Sequence, residues 1–351
     1  MLKHTSKWML AGTMAMAVFL TGCRGTDNQE TSSVVLGMNA LQEQAYESAI
    51  EYFNGSIAEE KELEQAYRGL GMAYMSQGEY EQAKDAFIKA LQSASGGVGK
   101  LEIDISCYLA SAYYHLQDYE NALETYHNLL AVDKKNGDIY YLRGVVNLAA
   151  GNQDAAIGDF DKSLSLDSKN YDRYINIYQE LKNAGETEKA QSYLSQCQSL
   201  LTDKQQYEKG RILYYMEDYN GAISALEALS EAGDNKATLY LGKAYEALGD
   251  MNYAASLYET YLTQDETNGE VFNQLGLCKL SMGAYEEALN CFQKGIQTGD
   301  ASVMQELLFN EASAYEYVSD FATAKTKFSE YLTKYPKDTN AVREYEFLKS
   351  R

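Results

Sequence analysis

Small and large apolar residues return along this chain at a nearly constant interval. An alanine recurs as Ala49, Ala83, Ala122, Ala156, Ala190, Ala222, Ala254, Ala288 and Ala324, at spacings of 34, 39, 34, 34, 32, 32, 34 and 36 residues. Four residues after each stands a large apolar side chain: Phe53, Phe87, Tyr126, Phe160, Leu194, Leu226, Tyr258, Phe292 and Phe328. Twelve residues before it stands a small one: Gly37, Gly71, Ala110, Gly144, Gly210, Gly242, Gly276 and Ala312, with Tyr178 the exception. Such a period marks stacked supersecondary units. The pattern fits two antiparallel helices packed closely. A small residue on the first admits the second, the alanine returns the favour, and the large side chain one turn later fills the space beside them. Gly78, Gly151, Gly185, Gly249 and Gly283 lie in the turns between the helices, where glycine suits the left-handed conformation that ends a helix.

These positions resemble the tetratricopeptide repeat, a 34-residue helix-turn-helix unit with small residues at its eighth and twentieth positions and an aromatic at its twenty-fourth. The segments Asp133-Lys134-Lys135-Asn136, Asp167-Ser168-Lys169-Asn170 and Asp265-Glu266-Thr267-Asn268 stand where that family favours Asp-Pro-x-Asn. Proline itself occurs only as Pro336. The resemblance implies an all-α fold, a right-handed superhelical solenoid of about nine repeats over residues 34–337. A capping helix over 338–351 closes it, with Val342, Tyr345 and Leu348 inward, because a stacked array needs a polar end. The longest spacing, 39, predicts a loop over Ser93 to Lys100, and the register is weakest in the fifth repeat, around Tyr178 and Leu194.

The amino end follows other rules. Lys3 and Lys7 precede an apolar run from Trp8 to Gly22, shorter than the roughly 20 residues that span a bilayer as a helix. It closes with Leu20-Thr21-Gly22-Cys23. This quartet resembles the bacterial lipobox, which implies a signal peptide over residues 1–22 and lipidation of Cys23. The alternative is an ordinary signal peptide or a short anchor, with Cys23 a bystander. Residues 23–33 then carry the lipidated cysteine and a polar tether. Its ten residues after Cys23 reach about 35 Å when stretched and roughly 18 Å as a coil. The expected location is the extracytoplasmic face of a cell membrane, lipid-anchored.

Composition narrows the partners. One proline in 351 residues, against about 18 at ordinary usage, leaves helix after helix uninterrupted. The formal net charge of −21 repels phosphates and anionic lipid. Nucleic acid is thus no partner, and membrane contact runs through the lipid anchor alone.

Candidate chemistry is sparse. Gly96-Gly97-Val98-Gly99-Lys100 only partly matches a phosphate-binding loop, since Ala94 and Leu101 break the pattern and no strand precedes it. His115 and His127 lie on different helices, and Asp159 and Asp161 fall mid-helix on different faces, so neither pair suggests a metal site. Cys107, Cys197, Cys278 and Cys291 fit small buried hydrophobes, although Cys278 and Cys291 flank one turn and a bond between them is open outside the cytoplasm. No nucleophile-base signature stands out, and no metal, cofactor or small-molecule substrate is expected.

By the family's register, Tyr114, Tyr141, Tyr207, Tyr214, Tyr215, Tyr317 and Phe309 line the concave groove, where aromatics make good contacts for a peptide or helix. The other reading is packing against the next repeat. Lys204, Arg211, Lys236 and Lys243 fall on the same face of the sixth and seventh repeats, a candidate anion-recognising patch. The family's carboxylate clamp uses lysine and asparagine at set groove positions; Asn176, Asn273 and Asn310 are scattered and do not reproduce it. The reading is a non-catalytic, membrane-tethered scaffold of the bacterial cell envelope, holding a protein or peptide partner in its groove. The alternatives are a peptide-sensing regulator or an enzyme with an unrecognised groove site.

Overall fold

The computed structural model describes residues 31–96 and 99–350. The expected signal peptide and Cys23 lie outside the described residues. The described chain is helical throughout and forms two compact units, residues 31–193 and residues 194–350.

In the first unit, α1 (Ser33–Gln42) pairs with α2 (Tyr46–Ala58), α3 (Leu63–Gln77) with α4 (Tyr80–Ser93), α5 (Lys100–His115) with α6 (Tyr119–Val132), and α7 (Gly137–Ala149) with α8 (Gln153–Leu166). The helix α9 (Tyr171–Asn183) follows, and α10 (Thr187–Leu200) runs across the boundary. In the second unit, α11 (Gln206–Tyr215) pairs with α12 (Tyr219–Glu231), α13 (Asn235–Ala247) with α14 (Met251–Leu262), α15 (Gly269–Ser281) with α16 (Tyr285–Gln297), and α17 (Met304–Tyr317) with α18 (Phe321–Lys334); α19 (Thr339–Lys349) ends the described chain. Within each unit every second helix of a pair also packs on the first helix of the next. First helices also meet side by side: α1 with α3, α3 with α5, α11 with α13, and α15 with α17.

The packing logic read from the sequence is present in detail. All nine recurring alanines are fully buried. So are their large neighbours four residues on, with Tyr126 at 2% exposure the most open of them. A methyl group built on Gly71 would lie 2.5 Å from the Phe87 ring, and one on Gly276 2.4 Å from the Phe292 ring. Real Cβ contacts essentially never fall below 3.0 Å, so only glycine lets these helices approach this far.

The turn has a feature the glycine count understates. A left-handed residue stands five positions before every recurring alanine: Gly78, Gly151, Gly185, Gly249 and Gly283, but also Gln44, Gln117, Glu217 and Ser319. The backbone of this turn is set by the packing of the two helices, so it persists where the side chain disfavours it. Where Asp118, Asp218, Asp250 and Asp320 follow directly, each carboxylate accepts a backbone N–H three residues on and caps the second helix.

The Asp-x-x-Asn turns are built as two successive side-chain-to-backbone bonds. The Asp133, Asp167 and Asp265 carboxylates accept from the amides two residues on, Lys135, Lys169 and Thr267. Asn136, Asn170 and Asn268 then cap α7, α9 and α15. This spacing closes a turn and opens a helix without proline.

Two expectations need correction. In α19 the inward stripe is Ala341, Tyr345 and Leu348, whereas Val342 is 40% exposed. Spacings of four and three keep one helical face inward, which 342, 345 and 348 do not. Phe309 belongs to the core: it is 4% exposed and packs edge-on against Phe328 and Tyr331, with ring centroids 5.5 and 5.8 Å away. Among the described residues of the loop after α4, Gly99 precedes α5, its amide donating to the Glu102 carboxylate at 2.8 Å. The preceding element is a helix, so the phosphate-loop arrangement of strand, loop and helix is not formed.

Candidate partner-binding surface

The residues singled out in the sequence separate into two clusters, one in each unit. In the second unit they gather around a tyrosine that sequence reasoning missed. Tyr240, on α13, receives the Arg211 guanidinium over its ring at 5.4 Å and the Lys243 ammonium at 5.1 Å. Arg211 also lies over Tyr207, at 5.3 Å. Tyr214 meets Tyr240 edge-on at 5.8 Å, and the Tyr215 and Tyr240 hydroxyls stand 3.5 Å apart. These side chains come from α11 and α13, so the cluster sits along the seam between two first helices. A tyrosine two residues before Gly242 faces that seam, which is the signal that could have found it.

The two central cations of the expected basic patch are neutralised in place. Arg211 pairs with Glu208 at 3.0 Å and Lys243 with Glu270 at 2.5 Å, and their side chains are only 12% and 13% exposed. Burial by itself pulls the Lys243 ammonium down, but the Glu270 carboxylate and the surrounding phenols outweigh it and hold its pKa above the ordinary lysine value. Burial likewise pushes the Tyr214 phenol up to about 12, against the opposing pull of Lys243. The seam is therefore a set of ion pairs among tyrosines. Lys204 and Lys236 are exposed, and neither joins the cluster.

In the first unit Tyr114 on α5, Tyr141 on α7 and Glu180 on α9 come from three successive first helices. The Glu180 charge acts on both phenols, and all three side chains are partly buried. Glu180 stands ten residues before its repeat's alanine. The same position holds Ala73, Ala112, Val146, Ile212, Ala244, Cys278 and Ala314, every one buried, and in the first repeat the exposed Asn39. A carboxylate is the odd member of that series. Removal from water holds its pKa up at about 7.

Other polar groups of the interior are structural. Arg143 grips the Asp159 carboxylate with two bonds of 2.9 and 2.6 Å, and Asn147 adds a third at 3.0 Å. Asn310 donates to Asn273 at 2.9 Å, joining two asparagines that looked scattered in the sequence. Cys107, Cys197, Cys278 and Cys291 are free thiols, and burial pushes them up to between about 11 and 12. Among the described residues no group of three or more His, Cys, Asp or Glu is placed to hold a metal ion.

Comparison with known proteins agrees with this architecture. Family profiles described as tetratricopeptide repeat match residues 108–171 and 207–269, residues 64–95, and residues 269–298, together more than half of the chain. A TPR repeat-containing protein of Methanocaldococcus jannaschii is 25% identical over 272 residues, covering 70% of this chain and 41% of that one. The Hsp70-Hsp90 organizing protein of Triticum aestivum is 26% identical over 231 residues, covering 53% of this chain and 39% of that one. The chain thus spans about two fifths of the length of these relatives. A crystal structure of yeast Tom70 aligns over 90% of this chain and 87% of its own, at 13% identity and a TM-score of 0.48. The helix pairs, their small-residue contacts and the family profiles lead to one assignment: the chain is a tetratricopeptide-repeat protein.

Proposed function

We propose that this protein is a scaffold that holds a protein or peptide partner against the first helices of its repeats, tethered to the cell envelope through Cys23. The observation that carries the binding half is the row of partly exposed aromatic and charged side chains along the first helices, Tyr114, Tyr141, Tyr207, Tyr214 and Tyr215 among them. Tyrosines so placed bury much area at little entropic loss, which suits a protein contact. The wheat relative, named as an organizing protein for Hsp70 and Hsp90, favours a protein partner over a small molecule. The tether half rests on the lipobox-like quartet alone.

A photo-crosslinking amino acid placed at Tyr114 or Tyr207 in intact cells tests the first half. Discrete adducts from these sites, and none from the exposed Gly158 on α8, are expected. Equal labelling from all three would refute the surface. Cys23→Ser tests the second half: the acyl label should vanish and the protein should leave the membrane fraction. Unchanged fractionation would remove the tether from the reading.

A further inference from the structure

Arg211 and Lys243 are not required by packing. Each stands one residue after the small residue of its first helix, Gly210 and Gly242. The other seven repeats hold an uncharged residue at that position, Met72, Val145 and Leu277 among them. A cation withdrawn from water weakens a fold unless a counter-charge meets it. Yet the two cations occupy successive first helices, 5.4 and 5.1 Å from the centre of one ring, that of Tyr240.

Their counter-charges lie nearer the solvent than they do. The Glu270 carboxylate reaches Lys243 from α15 at 2.5 Å and is 39% exposed, where Lys243 is 13% exposed. Glu208 meets Arg211 at 3.0 Å and is 22% exposed against 12%. In both pairs the cation is the recessed member and the carboxylate the outer one. When the Glu270 side chain turns into water, the place its carboxylate held opens toward the Lys243 ammonium. Another carboxylate fits that place, because the ammonium gives it a charge-assisted hydrogen bond. A cation is repelled there by Lys243, and a neutral group leaves the ammonium without its counter-charge.

We propose that Glu270 and Glu208 are built-in competitors that keep the seam of α11, α13 and α15 closed, and that an acidic side chain of the partner enters by displacing them. This rests on the scaffold reading and names the partner's chemistry together with the control on its entry. A competitor on the same chain acts at an effective concentration of about millimolar or more. An isolated carboxylate in solution therefore gains little, and the net charge of −21 repels it further. A partner segment that also rests on the neighbouring tyrosines brings its carboxylate to a comparable concentration. The closed seam thus rejects stray acidic chains and admits one that makes the further contacts.

The test uses the full chain and two blocked pentapeptides, one with three central glutamates and one with glutamines in their place, followed by titration calorimetry. Glu270→Gln removes the competitor and leaves Lys243, so it should bind the glutamate peptide at least about tenfold more tightly than the parent. The glutamine peptide should show no such gain. Adding Lys243→Gln to Glu270→Gln should abolish the gain. Glu266→Gln, an exposed position on the turn before α15, removes the same charge without uncovering the ammonium and should stay within about twofold of the parent. Circular dichroism confirms that each variant is folded; Glu270→Asp, which shortens the arm and keeps the charge, gives a second arm with a smaller gain in the same direction. Equal binding of the glutamate peptide by parent and Glu270→Gln, or a gain that survives Lys243→Gln or appears equally in Glu266→Gln, overturns the competitor. If that happens while Tyr207 still crosslinks a partner in cells, the competitor is wrong and the scaffold stands. If the parent crosslinks nothing, the scaffold reading itself fails.

Discussion

Replacing glycine by alanine should have opposite effects at two helical positions of this protein, and the structure says why. Gly276 on α15 faces α16. A methyl group there would lie 2.4 Å from Cε1 of Phe292 and 2.8 Å from Cδ1 and Cζ. Phe292 is fully buried, so its ring has nowhere to go. Relief requires the two helices to separate by about 1 Å, a strain of the kind that overpacked cores show at about 1–3 kcal/mol. Against this, alanine is favoured over glycine within a helix by about 1 kcal/mol. The net expectation for Gly276→Ala is a loss of up to about 2 kcal/mol. Gly158, in the middle of α8, is exposed and a methyl group there meets nothing within 4 Å. Only the helix preference remains, so Gly158→Ala should gain about 1 kcal/mol. Urea unfolding followed by circular dichroism at 222 nm measures both, with the curves fitted as a stacked array because repeats need not unfold together. A third variant isolates the cause. In a Phe292→Ala background the ring is gone, and Gly276→Ala should become stabilising by about 1 kcal/mol. The same sign in both backgrounds, or a stabilising Gly276→Ala in the parent, would refute close helix approach as the reason for the glycine.

Further expectations follow from the turns, the buried carboxylates and their charge. Gln117→Gly and Glu217→Gly relieve left-handed backbone at φ of 61° and 65°; each should raise stability by about 0.5–1 kcal/mol, while Gly249→Ala should lower it by about 1 kcal/mol. Asp159→Ala leaves Arg143 and Asn147 facing each other without their shared acceptor and should cost about 2–4 kcal/mol, readable as a lower urea midpoint, with Asp159→Asn intermediate. Glu180 has a folded-state pKa raised to about 7, so it disfavours folding only once the unfolded chain has released its proton. Glu180→Gln and the parent should therefore be equally stable below about pH 4, with the variant gaining by roughly 2–3 kcal/mol between there and pH 7 and holding that gain above. A difference that shrinks as pH rises would contradict a desolvated carboxylate at this position.

Much of the fold was legible because the interval carries it. An alanine, a small residue twelve before and a large apolar residue four after state a local contact between two neighbouring helices, and local contacts are written within one repeat. The same holds for the Asp-x-x-Asn turns, whose hydrogen bonds close over a few residues. The candidate surface was legible only in part. Tyr207, Arg211, Tyr214, Tyr215 and Lys243 do come together, but Tyr240, at their centre, lies on the next repeat. Of the countercharges, Glu208 stands three residues before Arg211 on the same helix, whereas Glu270 comes from the following repeat; together they turn an apparent basic patch into ion pairs whose net charge no count of lysines reveals.

What the sequence by itself determined is the repeat: its length, its helix pair, its small-residue contact and the residues that open and close each turn. Those depend on spacing along one chain, which a linear text preserves. Only the tertiary structure decided which side chains from different repeats meet. It put Phe309 in the core, turned Val342 to solvent in favour of Ala341, forced four non-glycine residues into the left-handed turn, and brought Tyr240 of one repeat against Tyr214 and Tyr215 of another. Each depends on how helices pack, within a repeat or from one repeat to the next, an angle set by the sum of many packing contacts and by no single spacing in the sequence.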